Sequence, residues 1–151
     1  MRFERFVLLV FAGACTHAHA PPVGPGDKIK LVTMPAESDA FPAIAKAATT
    51  AIANAKLAGV DESVPSKVSM EVVQLSIECV DASASCYEAA AKSLAANKLL
   101  FASIENDGKK PKISITVFDA ATRSPRTKER TYDSEAAAIA GVDALVTEAT
   151  R

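Results

Sequence analysis

Apolar and polar positions alternate along most of this chain in two periods, one fitting strands and one fitting helices. Residues 28–34 alternate, with Ile29 and Leu31 on one face and Lys28 and Lys30 on the other, which predicts a first strand with one face toward solvent. Pro35 ends it. Ser38 and Asp39 are cap-forming residues and Pro42 suits a first helical turn. Ile44, Ala48, Ile52 and Ala55 then recur at helical spacing, predicting a helix over 41–58 that Gly59 stops. Residues 60–66 (VDESVPS) read as a loop. Residues 67–79 read as a long strand with a fault. Val68, Met70 and Val72 share one phase, whereas Val73, Leu75, Ile77 and Cys79 share the other, so the alternation predicts a bulge near Val72 and Val73.

A second helix starts where Ser85 and Glu88 match a capping box, and Asn97 suits the left-handed residue that closes it. Residues 99–104 are nearly all apolar, as in a strand covered on both faces. Asn106, Asp107 and Gly108 signal a hairpin. The returning strand, 112–119, places Ile113, Ile115 and Val117 inward and Ser114 and Thr116 outward. Residues 122–125 turn again into a polar strand over 127–132, whose Lys128, Glu129 and Arg130 suit a protected edge. Ser134 caps a last helix with an apolar stripe of Ile139, Val142, Leu145, Val146 and Ala149. The expected fold class is α/β, at the border with α+β. It is a mixed sheet in two or three layers, in the order β-α-β-α-β-β-β-α, with right-handed crossovers.

The N-terminus changes the picture. Arg2 and Arg5 precede the apolar run 6–14 (FVLLVFAGA), which is shorter than the roughly 20 residues that span a bilayer and reads as an export signal. Cleavage after Ala20 would place Pro21 just past the cut, which suits signal peptidase poorly. Ala12, Gly13, Ala14 and Cys15 resemble a bacterial lipobox, with Ala12 where leucine is usual. Residues 1–14 are therefore expected to be a signal peptide and Cys15 a lipidated first residue; ordinary cleavage before a free Cys15 is the alternative. Residues 15–27 (CTHAHAPPVGPGD) read as a Pro- and Gly-rich tether, and 28–151 as one domain. His17 and His19 on that tether lack a third ligand, so no metal site is expected.

If Cys15 carries lipid, Cys79 and Cys86 remain as a pair, which is expected to form a structural disulfide rather than a redox dithiol or a metal site. From Asp27 onward the chain has no histidine, which excludes Ser-His and Cys-His nucleophile pairs. Asp61 with Glu62, and Glu78 with Asp81, read as solvated acids. The six glycines form no phosphate loop, so neither catalysis nor a cofactor is expected. A net charge of −1 and 5% aromatic residues give nucleic acid little to bind. Lys109, Lys110, Lys112, Arg123, Arg126, Lys128 and Arg130 are expected on two hairpins at one end of the sheet. They are candidates for contact with an acidic partner; edge protection and solubility are the competing explanation.

Residues 90–104 (AAKSLAANKLLFASI) resemble the "AxxLGADxLLxGxV" segment of small bacterial envelope domains, and residues 113–122 (ISITVFDAAT) resemble the strand and turn that follow it there. These domains are similar to the TolB amino-terminal domain and to the CsgG-like lipoproteins. This chain departs from them at Ala95, Ala96 and Asn97, at Ala102, and at Arg123, which replaces a turn glycine. The resemblance implies a non-catalytic envelope module that docks other proteins, lipid-anchored at the outer membrane facing the periplasm, or soluble in the periplasm or outside the cell. Binding of a small ligand or cell-wall polymer at the ends of the sheet strands remains the alternative.

Overall fold

The computed structural model describes residues 28–79 and 81–151. The export signal, Cys15 and the tether with His17 and His19 lie outside the described residues. The elements are β1 (Lys30–Thr33), α1 (Pro42–Asn54), β2 (Glu62–Pro65), α2 (Met70–Ser76), α3 (Ala84–Ser93), β3 (Lys98–Asp107), β4 (Lys110–Asp119), β5 (Ser124–Thr131) and α4 (Glu135–Thr150). They build a mixed five-stranded sheet in the order β2-β1-β3-β4-β5. The β1-β2 and β1-β3 pairs are parallel, and the last three strands form an antiparallel meander.

Helices cover both faces. The step from β1 to β2 moves one way along the sheet, and the step from β2 to β3 crosses back over β1. Right-handed crossovers in opposite directions require helices on opposite faces. Accordingly α1 and α4 bury Ile44, Ala48, Ile52, Val142, Leu145 and Val146 against Leu31, Leu100, Ile113, Ile115 and Val117. On the other face α2 and α3 bury Met70, Val73, Tyr87, Ala90 and Ala91 against Val32, Leu99, Phe101 and Phe118. Consecutive residues of β3 thus feed two cores, which explains its nearly continuous apolar run. Beyond Phe118 the second face is open and polar. There Thr127 is exposed and shares a 2.9 Å hydroxyl contact with the buried Thr116.

Several expectations are corrected between residues 41 and 97. First, α1 ends at Asn54 rather than 58, and its N-cap is Phe41, whose N–H donates to Ser38 Oγ. Second, the expected loop at 60–66 contains β2, and the expected bulged strand at 67–79 is α2. Ser69 caps α2 by accepting from the Val72 N–H at 3.4 Å. Within α2 the apolar residues of both strand phases sort by helical angle instead: Met70 and Val73, with Ile77 at the C-cap, turn inward, and Val72 and Leu75 turn outward, while Val68 precedes the cap and is exposed. Third, Ser83 caps α3 in place of Ser85, accepting from the Cys86 N–H, while Glu88 pairs with Lys92 and Arg123 instead of reaching back.

Both α2 and α3 close with Schellman bonds. Cys79 N–H donates to Gln74 O and Ala96 N–H to Ala91 O, with Glu78 (φ 55°) and Ala95 (φ 47°) in the left-handed position. The closing residue of α3 is therefore Ala95 and not Asn97. Asn97 instead ties β1 to β3: its Oδ1 accepts from the Lys30 N–H at 2.8 Å, and its own N–H donates to Lys30 O. Ala95→Gly is expected to raise stability by about 0.5 kcal/mol, because relief at the left-handed position exceeds the added freedom of the unfolded chain. A urea midpoint measures it.

The hairpin follows expectation. Gly108 (φ 59°) and Lys109 (φ 77°) form the two-residue turn, and Asn106 Oδ1 accepts from the Lys109 N–H. In α4 the stripe begins at Ala138 rather than Ile139, since Ala138 shares the helical angle of Val142, Leu145 and Ala149 and Ile139 falls at the rim, 39% exposed. A Cβ on Gly141 would meet the Tyr132 ring at 2.5 Å, and the Tyr132 hydroxyl is buried without a hydrogen-bond partner among the described residues. Gly141→Ala is expected to cost about 1–3 kcal/mol despite its better helix propensity. Tyr132→Phe is expected to be neutral or stabilising, since it removes an unpaired buried group. Thermal denaturation of both variants checks the pair.

Candidate functional site

The structure joins Cys79 and Cys86 in a disulfide, with Cα atoms 5.7 Å apart. It links the residue after the α2 closing turn to the first turn of α3, so it ties helix to helix rather than strand to helix as the sequence suggests. Cys86 is fully buried. Gln74 Nε2 donates to Asp81 O at 3.3 Å and closes the same corner from α2.

The seven basic candidates do not gather. The β3–β4 turn carries Lys109, Lys110 and Lys112 at one end of the sheet, whereas the β4–β5 turn carries Arg123 at the other, with Arg126 close behind it. Nor, Lys109 apart, do they present open charge. Lys110 meets Asp133 at 2.6 Å, Lys112 meets Glu129 at 3.1 Å, Arg123 meets Glu88 at 3.0 Å, and Lys128 and Arg130 share Glu148. Arg126 donates to Ala149 O near the end of α4. These contacts leave their marks on protonation. The Lys110 bond raises Lys110 and lowers Asp133, and the Glu129 bond raises Lys112. Hydrogen bonding from Lys92, opposed by desolvation and reinforced by the Arg123 charge, holds Glu88 below its usual value. Arg123 (φ 52°) takes up a left-handed turn position, and its guanidinium fastens the turn to α3.

A cleft of about 330 Å³ lies at the end of the sheet where β3 begins and β4 ends, lined by Leu57, Lys98, Asp119, Ser124, Arg126 and Thr150. Its charges satisfy one another, since Lys98 Nζ bonds Asp119 and Arg126 bonds the α4 backbone. Burial pushes the Asp119 carboxyl up, but the Lys98 hydrogen bond and charge, with the Ala121 and Thr122 amides, outweigh it and leave the group below its usual range. Asp119 therefore stays ionised near neutrality and is a poor general acid. Open α/β sheets bind ligands beyond the carboxyl ends of their parallel strands. This cleft lies at the opposite end. Beyond the carboxyl end of β1 the chain fills the space itself: Met34 and Ala36 are buried, with Met34 N–H donating to Leu100 O and Ala36 N–H to Thr49 Oγ1.

A folded pKa below the unfolded one gives stability that is present above the unfolded value and lost as pH falls through the folded one. Asp119→Asn is therefore expected to lower the urea midpoint at pH 7. The gap to the parent should close as pH falls below the usual aspartate value of about 3.9.

The outer side of α2 stands apart. Val72 is 41% exposed and Leu75 67%, three apart on α2, and Val68, just ahead of the Ser69 cap, is 39% exposed, while Met70 and Val73 are buried. A strand period over 67–79 does not reveal this side, because only helical phase separates the two apolar sides of α2. Among the described residues no cluster of three or more His, Cys, Asp or Glu is placed to hold a metal ion.

No protein-family model matches the chain, and no curated protein does. Two solved structures are similar to it. The C-terminal domain of LpoB from Salmonella enterica gives a TM-score of 0.43 at 14% identity, covering 72% of this chain and 87% of that one. The same domain from Escherichia coli gives 0.39 at 14% identity, covering 74% and 88%.

Proposed function

We propose that this chain is a non-catalytic module of the bacterial cell envelope, exported and held by lipid on Cys15, that acts by protein–protein contact through the outer side of α2. The observation that carries the reading is the exposure of Val72 and Leu75 on one side of α2, with Val68 exposed just before its cap. Exposed apolar side chains that group on one side of a surface helix mark a contact surface, whereas singly scattered ones do not. The disulfide supports the exported setting, since such bonds persist in oxidising compartments. The basic segment and apolar run at 1–14 point the same way. A small-ligand or cell-wall site at the sheet ends has less support, because the cleft there is occupied by its own ion pair.

Crosslinking and affinity capture from envelope fractions test the reading. The disulfide-intact chain is expected to retain a specific protein that Leu75→Glu loses and that Thr127→Glu, on the open sheet face, keeps. Binding to purified peptidoglycan that Leu75→Glu leaves unchanged, with no captured protein, would overturn it.

A further inference from the structure

Resting on that reading, we infer that the α2 face receives a basic, amphipathic segment of its partner. Val72 and Leu75 of α2, and Val68 before its cap, lie within an acidic stretch of the chain. Glu62 on β2, Glu71 on α2, and Glu78 and Asp81 just past it are all exposed, and Lys67 is the single basic residue between positions 61 and 88. Glu71 adjoins Val72 in the first turn of α2 and Glu78 follows its C-cap, while Gln74 Nε2 holds the Asp81 carbonyl at the corner between α2 and α3. Glu62 is paired in register with Lys30 and lies two residues from Val64, opposite Val32, so it shares the face on which α2 packs.

The charges are also unspent. None of Glu62, Glu71, Glu78 and Asp81 joins an ion pair among the described residues, whereas six of the seven cations around β4 and β5 already hold an acid or a carbonyl. Apolar side chains rimmed by uncompensated carboxylates complement a segment with apolar residues every three or four positions and lysine or arginine beside them.

Two other occupants fit poorly. An anionic lipid surface would meet the carboxylates with like charge. A second copy, packing the same patch on itself about a two-fold axis, would set those acids against each other. Three side chains also fall well short of the roughly 800 Å² per partner that a stable dimer buries.

Two synthetic helix-forming peptides with the same leucine positions, one flanked by lysines and one by glutamates, test the inference against the full, disulfide-intact chain. Backbone amide NMR locates the binding. At about 0.1 M salt the lysine peptide is expected to shift amides within 67–79 and to bind at least about tenfold tighter than the glutamate peptide. The gap should shrink at about 1 M, where the screening length falls to about 3 Å. Leu75→Ser should weaken the lysine peptide about tenfold, and Glu71→Gln with Glu78→Gln should narrow the preference between peptides. Equal binding of the two peptides, shifts mapping elsewhere, or no binding would overturn the inference. Envelope capture that still depends on Leu75 would then show that the contact face stands and only the partner's chemistry was misjudged.

Discussion

Replacing Phe118 by alanine is expected to cost about 3–5 kcal/mol. Phe118 is fully buried near the end of β4, paired in register with Leu99 on one side and Pro125 on the other. Its ring lies 5.8 Å from that of Tyr87, which in turn lies 5.1 Å from Phe101, both pairs tilted at 58–59°. Tilted rings at these separations add to the burial itself. The second core is small, built from two short helices against four strand residues, so it has little material with which to close the cavity. The polar sheet face beyond Phe118 offers none. A domain of ordinary stability holds about 5–15 kcal/mol, so the variant should fold marginally at 25 °C. Urea denaturation measures the loss, and Phe118→Leu should recover more than half of it by keeping most of the volume.

The second large effect is expected from the disulfide. Replacing Cys79 and Cys86 together by alanine should lower stability by about 2.5 kcal/mol, the chain-entropy value for closing so short a loop. The consequence should be local as well as global. The α2 helix has only seven residues, and its end is held by the Schellman bonds, by Gln74 and by the bond to Cys86. With the last removed, amides of 70–79 should exchange faster than those of β3 and β4 at equal total stability. Two reactive thiols in the native exported protein would contradict the pairing itself.

Much of the architecture is legible in the residues because local and tertiary demands agree. The strand pattern of 112–119, the Asn-Asp-Gly hairpin and the stripe of α4 each signal the element that forms. The stretch 60–79 resisted because they disagree. Strand β2 has four residues of which only Val64 is half-buried, so it lacks any alternating run; its parallel pairing with β1 makes it a strand. The helix α2 carries apolar residues on two sides, and a two-sided helix passes through both phases of a strand. Its inward side serves the core and its outward side serves none, so the residues that obscure the fold are the ones that carry the proposed contact. The serines before α3 differ in a similar way, since Ser83 and Ser85 could each cap and the 3.0 Å contact between their hydroxyls follows only from the final turn geometry. The basic residues were legible as hairpin residues. Their partners Glu88, Asp133 and Glu148 come from other elements, and no spacing reveals them.

The most direct measurement places a photo-reactive amino acid at position 72 or 75 of the full chain, or at position 103 or 127 as controls on the open sheet face, in cells that produce and export it. Irradiation is expected to yield a discrete crosslinked protein from positions 72 and 75, absent from positions 103 and 127. Products from the sheet face alone, or none from position 75, would contradict it.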